Sequence, residues 1–193
     1  MPDIAPVKAQ RSTRAGQRVT SVGRVSGPAE QTNDRPVLTH VDERGAARMV
    51  DVSAKRVTTR EAVASGRFET TADVIALLRQ DALPKGDALA VARIAGIAAA
   101  KRTPDLVPLC HPVALHAVEV DLDVRADSVV ITATTRTADR TGVEMEALTS
   151  VVAAGLALYD MVKAVDRAAR LTDVRLLAKS GGRSGTWSAE AGP

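Results

Sequence analysis

The sequence holds one cysteine, Cys110, so no disulfide can form within the chain. A lone thiol fits a reducing compartment, and the cytoplasm is the expected location. Aromatic residues are almost missing, with one Trp, one Tyr and one Phe. The core must then be built from Val, Ile, Leu and Ala, and stacking platforms for nucleic-acid bases are scarce. Three histidines and one cysteine show no metal-ligand spacing, so no metal site is expected. No apolar run reads as long enough to span a bilayer. The N-terminus lacks the apolar segment of a secretory signal, and it has too few long apolar residues for the amphipathic face of a transit peptide.

Net charge is nearly absent from the body of the chain. The formal charge is +3, but residues 1–37 carry six Lys/Arg against three Asp/Glu, and residues 38–193 carry twenty of each. A basic pI therefore does not argue for a nucleic-acid-binding body. The 193 residues suffice for one domain plus an appendage. Residues 1–37 mix Pro, Gly, Ser, Thr, Gln and Arg without period and read as a disordered basic extension. The ordered domain is expected over 38–185, with a flexible tail over 186–193.

What remains is patterned. "ARMVDVSAK" (Ala47–Lys55) alternates weakly and predicts a strand. "TTREAVASG" (Thr58–Gly66) starts on Thr and stops on Gly, which predicts a short helix. "TTADVIALLRQ" (Thr70–Gln80) predicts a second one. "GDALAVARIAGIAAAKR" (Gly86–Arg102) has an Asp N-cap and two terminal cations. It is apolar nearly all round, which predicts burial on most sides. "LHAVEVDLDVR" and "VVITATTRTA" alternate around an "ADS" turn and predict a hairpin. "GVEMEALTSVVAAGLALYDMVKAVDR" (Gly142–Arg167) predicts a long helix, and "DVRLLAKSG" (Asp173–Gly181) a last strand. This order is the ferredoxin-like βαββαβ plan of an α+β fold, with helices on one face of a mainly antiparallel sheet. Cover for the other face would come from oligomerisation.

The long helix poses a chemical question. At about 100° per residue, Leu148, Val152, Leu156, Tyr159 and Val162 form one apolar arc. Lys163 falls within that arc and Asp160 at its edge. A buried, unpaired lysine is costly. Two readings stay open: an ion pair three residues apart on the helix surface, or a lysine whose pKa is lowered for acid–base work. Glu144 and Glu146 are either first-turn acids facing the helix dipole or groups pointing into a site. In "VPLCHPV" (Val107–Val113) two prolines predict a stiff extended segment. His111 there either contacts a ligand or bonds to backbone, and adjacent Cys110 and His111 should point apart. "KSGGRSG" (Lys179–Gly185) is either a loose tail or a set of bare amides flanked by cations that could hold phosphate. Lys55, Arg60 and Lys101 stand near apolar segments without obvious acidic partners, which suggests an anionic small molecule.

The segments "MVDVSAK", "KGDALAVARIAGIAAAKRTPDLVPLCHP", "TGVEMEALT", "LYDMVKA" and "VRLLAKSGGRSG" together resemble the MoaC family, the cyclic pyranopterin monophosphate synthases of molybdenum-cofactor biosynthesis. The resemblance runs from about Leu38 to Gly185. It implies a ferredoxin-like subunit in a homohexamer, a trimer of dimers, with the active site at a subunit interface. It implies a lyase reaction from 3′,8-cyclo-7,8-dihydro-GTP to cyclic pyranopterin monophosphate and pyrophosphate. By motif it implies Asp160 and Lys163 as the catalytic pair. Leu109, Cys110, His111, Glu144, Met145 and Glu146 would contact substrate. Lys55, Arg60, Lys101, Lys179 and Arg183 would gather around the nucleotide; many family members carry lysine where this chain has Arg183. No cofactor is implied, beyond Mg²⁺ that could accompany the triphosphate. No nucleic-acid or membrane partner is implied. The contrasting expectation is a non-catalytic nucleotide- or pterin-sensing module on the same fold.

Overall fold

A computed structural model describes residues 40–42 and 44–189. The expected extension over 1–37 lies outside the described residues. Nine elements follow in order: β1 (Thr58–Glu69), α1 (Ala72–Arg79), α2 (Ala88–Ala100), α3 (Thr103–Leu106), β2 (Ala117–Val124), β3 (Ser128–Asp139), α4 (Glu144–Val162), β4 (Arg170–Ser180) and β5 (Trp187–Ser188). The fold is α+β. One antiparallel sheet has the order β2-β3-β1-β4-β5. Helices lie between β1 and β2 and between β3 and β4 along the chain.

Two early expectations are corrected. Residues 47–55 form loop and turn, not a strand. Thr58–Gly66 is not a helix but most of β1, the central strand, which runs beside β3 from Thr58↔Asp139 to Glu69↔Ser128. Its core-facing residues are Ala62, Ala64, Gly66 and Phe68. Three of those four are small, so the apolar alternation is faint in sequence. The small residues let α4 approach closely: a Cβ on Gly66 would lie 2.7 Å from Val151 Cγ1, and one on Gly155 would lie 2.8 Å from Leu171. β4 follows β1 through two register shifts, and Asp173 takes φ +53° at the second. The expected flexible tail is in part a strand, since Trp187 and Ser188 pair with Lys179 and Ala178.

Two helices start on side-chain caps. Thr71 caps α1 by accepting from Val74 N, and Asp87 caps α2 by accepting from Ala90 N at 2.9 Å. α2 buries only Ala88, Ala92, Gly96 and Ala100, a narrow stripe of small residues. Gly96 lies against Ser150 of α4, while Lys85 before α2 reaches Asp160 near the end of α4. The two helices are therefore antiparallel neighbours. α4 is long and apolar enough to cross a membrane by length and composition. Here it is the core helix, burying Ala147, Val151, Ala154, Leu158, Met161 and Val162 against the sheet and α2.

The opposite sheet face differs from expectation. It carries Arg136 between Glu61 and Glu119, and Arg67 and Arg170 beside Glu69. A face of this composition can meet water without a second layer. Much of the uncovered apolar surface is on the helices instead. Val91 and Ile94 of α2 and Val152, Leu156 and Tyr159 of α4 are exposed, Ile94 by 67% and Leu156 by 63%.

Candidate functional site

The start of α4 builds one wall of a cavity of about 460 Å³. Glu144, Met145 and Glu146 line it from the helix, Lys179 from β4, and Leu109, Cys110 and His111 from the proline-flanked loop. Lys55, Val50 and Val52 line it from the loop before β1, and His40 closes the set. Eight of the anticipated contact residues thus share one cavity.

The local bonds show how it is held. Residues 107–110 form a turn closed by Cys110 N donating to Val107 O at 2.9 Å, not an extended run. That turn is why neighbouring Cys110 and His111 line the same space. His111 Nε2 lies 2.7 Å from Val50 O. A carbonyl only accepts, so Nε2 carries hydrogen. Lys179 Nζ donates to Glu144 Oε1 at 3.0 Å and to Ser184 Oγ at 3.2 Å. Glu146 is only 3% exposed. Burial, with Glu144 nearby, pushes its carboxyl up to about 7. Burial also raises the Cys110 thiol, and the Glu146 charge adds to this.

A second cavity of about 450 Å³ adjoins through the shared Lys55 and is lined by Ala54, Lys55, Arg56, Thr58, Arg60, Gly182 and Arg183. Between the two lies a cleft lined by Arg60, Glu144, Lys179, Gly181 and Ser184. The glycines here are conformational necessities. Gly181 has φ +90°, and a Cβ on it would sit 2.1 Å from Thr59 O. Gly182 has φ +71°, and its Cβ would sit 2.3 Å from the Arg60 guanidinium. Arg60 itself donates to the carbonyls of Asp139 and Arg140, each at 2.8 Å. Its charge is fixed by backbone rather than cancelled by a carboxylate.

Three anticipated residues lie outside both cavities. Lys101 caps the end of α2 and is exposed. Asp160 and Lys163 lie at the far end of α4. Seventeen residues separate Glu146 from Lys163, and at about 1.5 Å per residue that is about 25 Å. The Lys163 side chain is 50% exposed and meets Asp160 Oδ1 at 2.6 Å. Of the apolar arc on which the sequence places Lys163, Val152, Leu156 and Tyr159 face outward, while Leu148 and Val162 pack against the core. The lowered lysine pKa is also reversed: the hydrogen bond and charge of Asp160 raise it. Asp160 is driven down to about 2, first by Lys163 and then by Lys85. Lys85 is the residue the sequence did not flag. It donates to Asp160 O at 2.7 Å and to Asp160 Oδ2 at 3.0 Å. Its position just before the α2 cap, in "KGD", was the available signal.

Comparison with known proteins decides the family. Residues 49–182 match the model described as the MoaC family. The chain belongs to the MoaC family. The family segment contains the whole of α4 and the lining of both cavities except His40 and Arg183. A relative from Streptomyces coelicolor named cyclic pyranopterin monophosphate synthase is 61% identical over 86% of this chain and 96% of its own length. One from Rhodospirillum rubrum bearing the same name is 57% identical over 86% of this chain and 99% of its own. A Mycobacterium tuberculosis relative, cyclic pyranopterin monophosphate synthase 2, is 56% identical over the same shares. Among the described residues, no group of three or more His, Cys, Asp or Glu could hold a metal ion.

Proposed function

We propose that this chain is a cyclic pyranopterin monophosphate synthase, a lyase of molybdenum-cofactor biosynthesis. It would convert 3′,8-cyclo-7,8-dihydro-GTP to cyclic pyranopterin monophosphate and release pyrophosphate. The observation that carries this reading is identity of 56–65% to synthases along nearly their whole length. The cavities add chemical sense. A polar chamber with Glu146 and His111 suits a purine-derived ring that must exchange protons. A neighbouring run of cations suits a triphosphate and the charge on departing pyrophosphate. On this reading no cofactor is required, Mg²⁺ accompanies the phosphates at most, and the enzyme works in the cytoplasm.

The catalytic pair then has to come from a second copy. Lys163 is the general acid/base on this reading, and Asp160, held between Lys85 and Lys163, orients it. With about 25 Å of helix between Lys163 and Glu146, one chain does not complete the site. The apolar surface of Val91, Ile94, Val152, Leu156 and Tyr159 lies on the same outward helix layer as the pair and supports self-assembly. The assembly we favour is a homohexamer arranged as a trimer of dimers.

The test supplies the cyclic nucleotide to the full chain and measures pyrophosphate and pterin together. Both products should appear in equal amounts. Binding of the nucleotide with neither product would instead identify a sensing module. Co-assembly offers a second check. Lys163→Ala and Glu146→Gln variants, each inactive alone, should regain turnover when mixed and reassembled. No recovery in verified mixed particles would mean that each site is built by one chain.

A further inference from the structure

The second cavity holds a cation that neither the motifs nor the family resemblance singled out. Arg56 lines it together with Lys55, Arg60 and Arg183, and no carboxylate contributes to the lining. Among the described residues none of these four cations forms a salt bridge. Four like charges gathered without a counter-charge repel one another. Such a cluster is explained by a polyanion that occupies it.

The walls are fixed by contacts that leave the charges available. Asp51 Oδ1 accepts from Ser53 N at 2.8 Å, and Lys55 N donates to Val52 O at 3.0 Å, which closes the turn before Arg56. Arg140 Nε donates to Lys55 O at 3.0 Å and pins the backbone beside Arg56. Arg60 is anchored by two carbonyls, and the absence of a side chain at Gly182 leaves room for its guanidinium. Arg56 and Arg183 are exposed side chains that both line this cavity.

We infer that Arg56 is a phosphate-binding residue of this chain, closing with Lys55, Arg60 and Arg183 on the terminal diphosphate of the substrate and on free pyrophosphate. The inference rests on the proposed function for the identity of the substrate, but the anion site stands on the cavity alone. A guanidinium suits the role because its planar fork can donate two hydrogen bonds to one phosphate. Arg56 makes no contact with the first cavity. It therefore acts on how tightly the phosphate end is held and not on the proton transfers.

The experiment is calorimetric titration of the assembled full chain with inorganic pyrophosphate, with orthophosphate as the control. The single tryptophan, Trp187, pairs with Lys179 and gives a second, fluorescent readout. Arg56→Ala should weaken pyrophosphate binding roughly tenfold, with a smaller loss in Arg56→Lys, where charge remains but the fork does not. The Arg56→Ala loss should shrink as salt rises, since exposed charges are screened. In turnover, KM should rise by a similar factor with kcat nearly unchanged. Unchanged pyrophosphate affinity in Arg56→Ala overturns the inference, as does a fall in kcat at constant KM. If pyrophosphate binds through Arg56 but no pterin forms, the anion site stands and the synthase reading fails.

Discussion

Glu146 shows how one residue can couple stability to chemistry. Its carboxyl keeps a proton up to about pH 7 when folded, while an ordinary glutamate releases it near 4.5. Between those values the folded chain holds more protons than the unfolded one, so stability falls as pH rises. The full effect, at most about 3 kcal/mol, is in place above pH 7. Glu146→Gln should flatten this dependence and melt higher than the parent at pH 8, though not at pH 4. Thermal melts across that range check it. Asp160 behaves oppositely, because Lys163 and Lys85 keep it ionised throughout the working range. Lys163→Ala should cost roughly 10²–10⁴-fold in turnover, the usual worth of a general acid or base. A well-assembled variant that keeps its rate would remove Lys163 from catalysis. The residue scale is also where the sequence spoke most clearly about chemistry. "EME", "LCH", Lys55 and Lys179 meet in one cavity. What it could not convey was where the other end of α4 stands, because a helix separates in space residues that a motif set groups by role.

At the scale of elements, β1 and α4 explain one another. The strand presents Ala62, Ala64 and Gly66 so that the helix can lie close, with Val151 over Gly66 and Leu171 against Gly155. Gly66→Ala should destabilise by about 1–3 kcal/mol through overpacking, read as a lower urea midpoint with an unchanged slope. Gly86→Ala meets open space despite its φ of +91°. It should cost only the backbone strain of about 1 kcal/mol. This packing is also why β1 was hard to read. Its Thr start and Gly stop imitate helix signals, and small core-facing side chains mute the two-residue alternation that marks a strand. The hairpin β2–β3 was legible because Val118, Val120 and Leu122 on one face alternate with Glu119, Asp121 and Asp123 on the other. The long helix was legible too, but not its orientation. α4 is apolar on two sides, and periodicity alone cannot say which side meets the sheet. Val152, Leu156 and Tyr159 turned out to face outward, whereas Leu148 of the same arc packs against the core.

At the scale of the whole molecule, the exposed arc becomes the testable feature. Leu156 is 63% exposed, so Leu156→Asp should leave the fold of one chain intact. It should shift the sedimentation profile toward smaller species and abolish turnover in the same step. Full activity from a monomeric variant would refute shared sites. The Arg- and Glu-bearing sheet face can meet water, and substitutions at Arg136 should leave particle size unchanged.

One helix carries Glu146 at its head and Lys163 at its foot. If those ends serve different pockets, a copy defective at both ends disables two pockets rather than one. Residual rate in mixed particles would then drop faster than the fraction of defective chains, a dominant harm arising from the length of α4 itself.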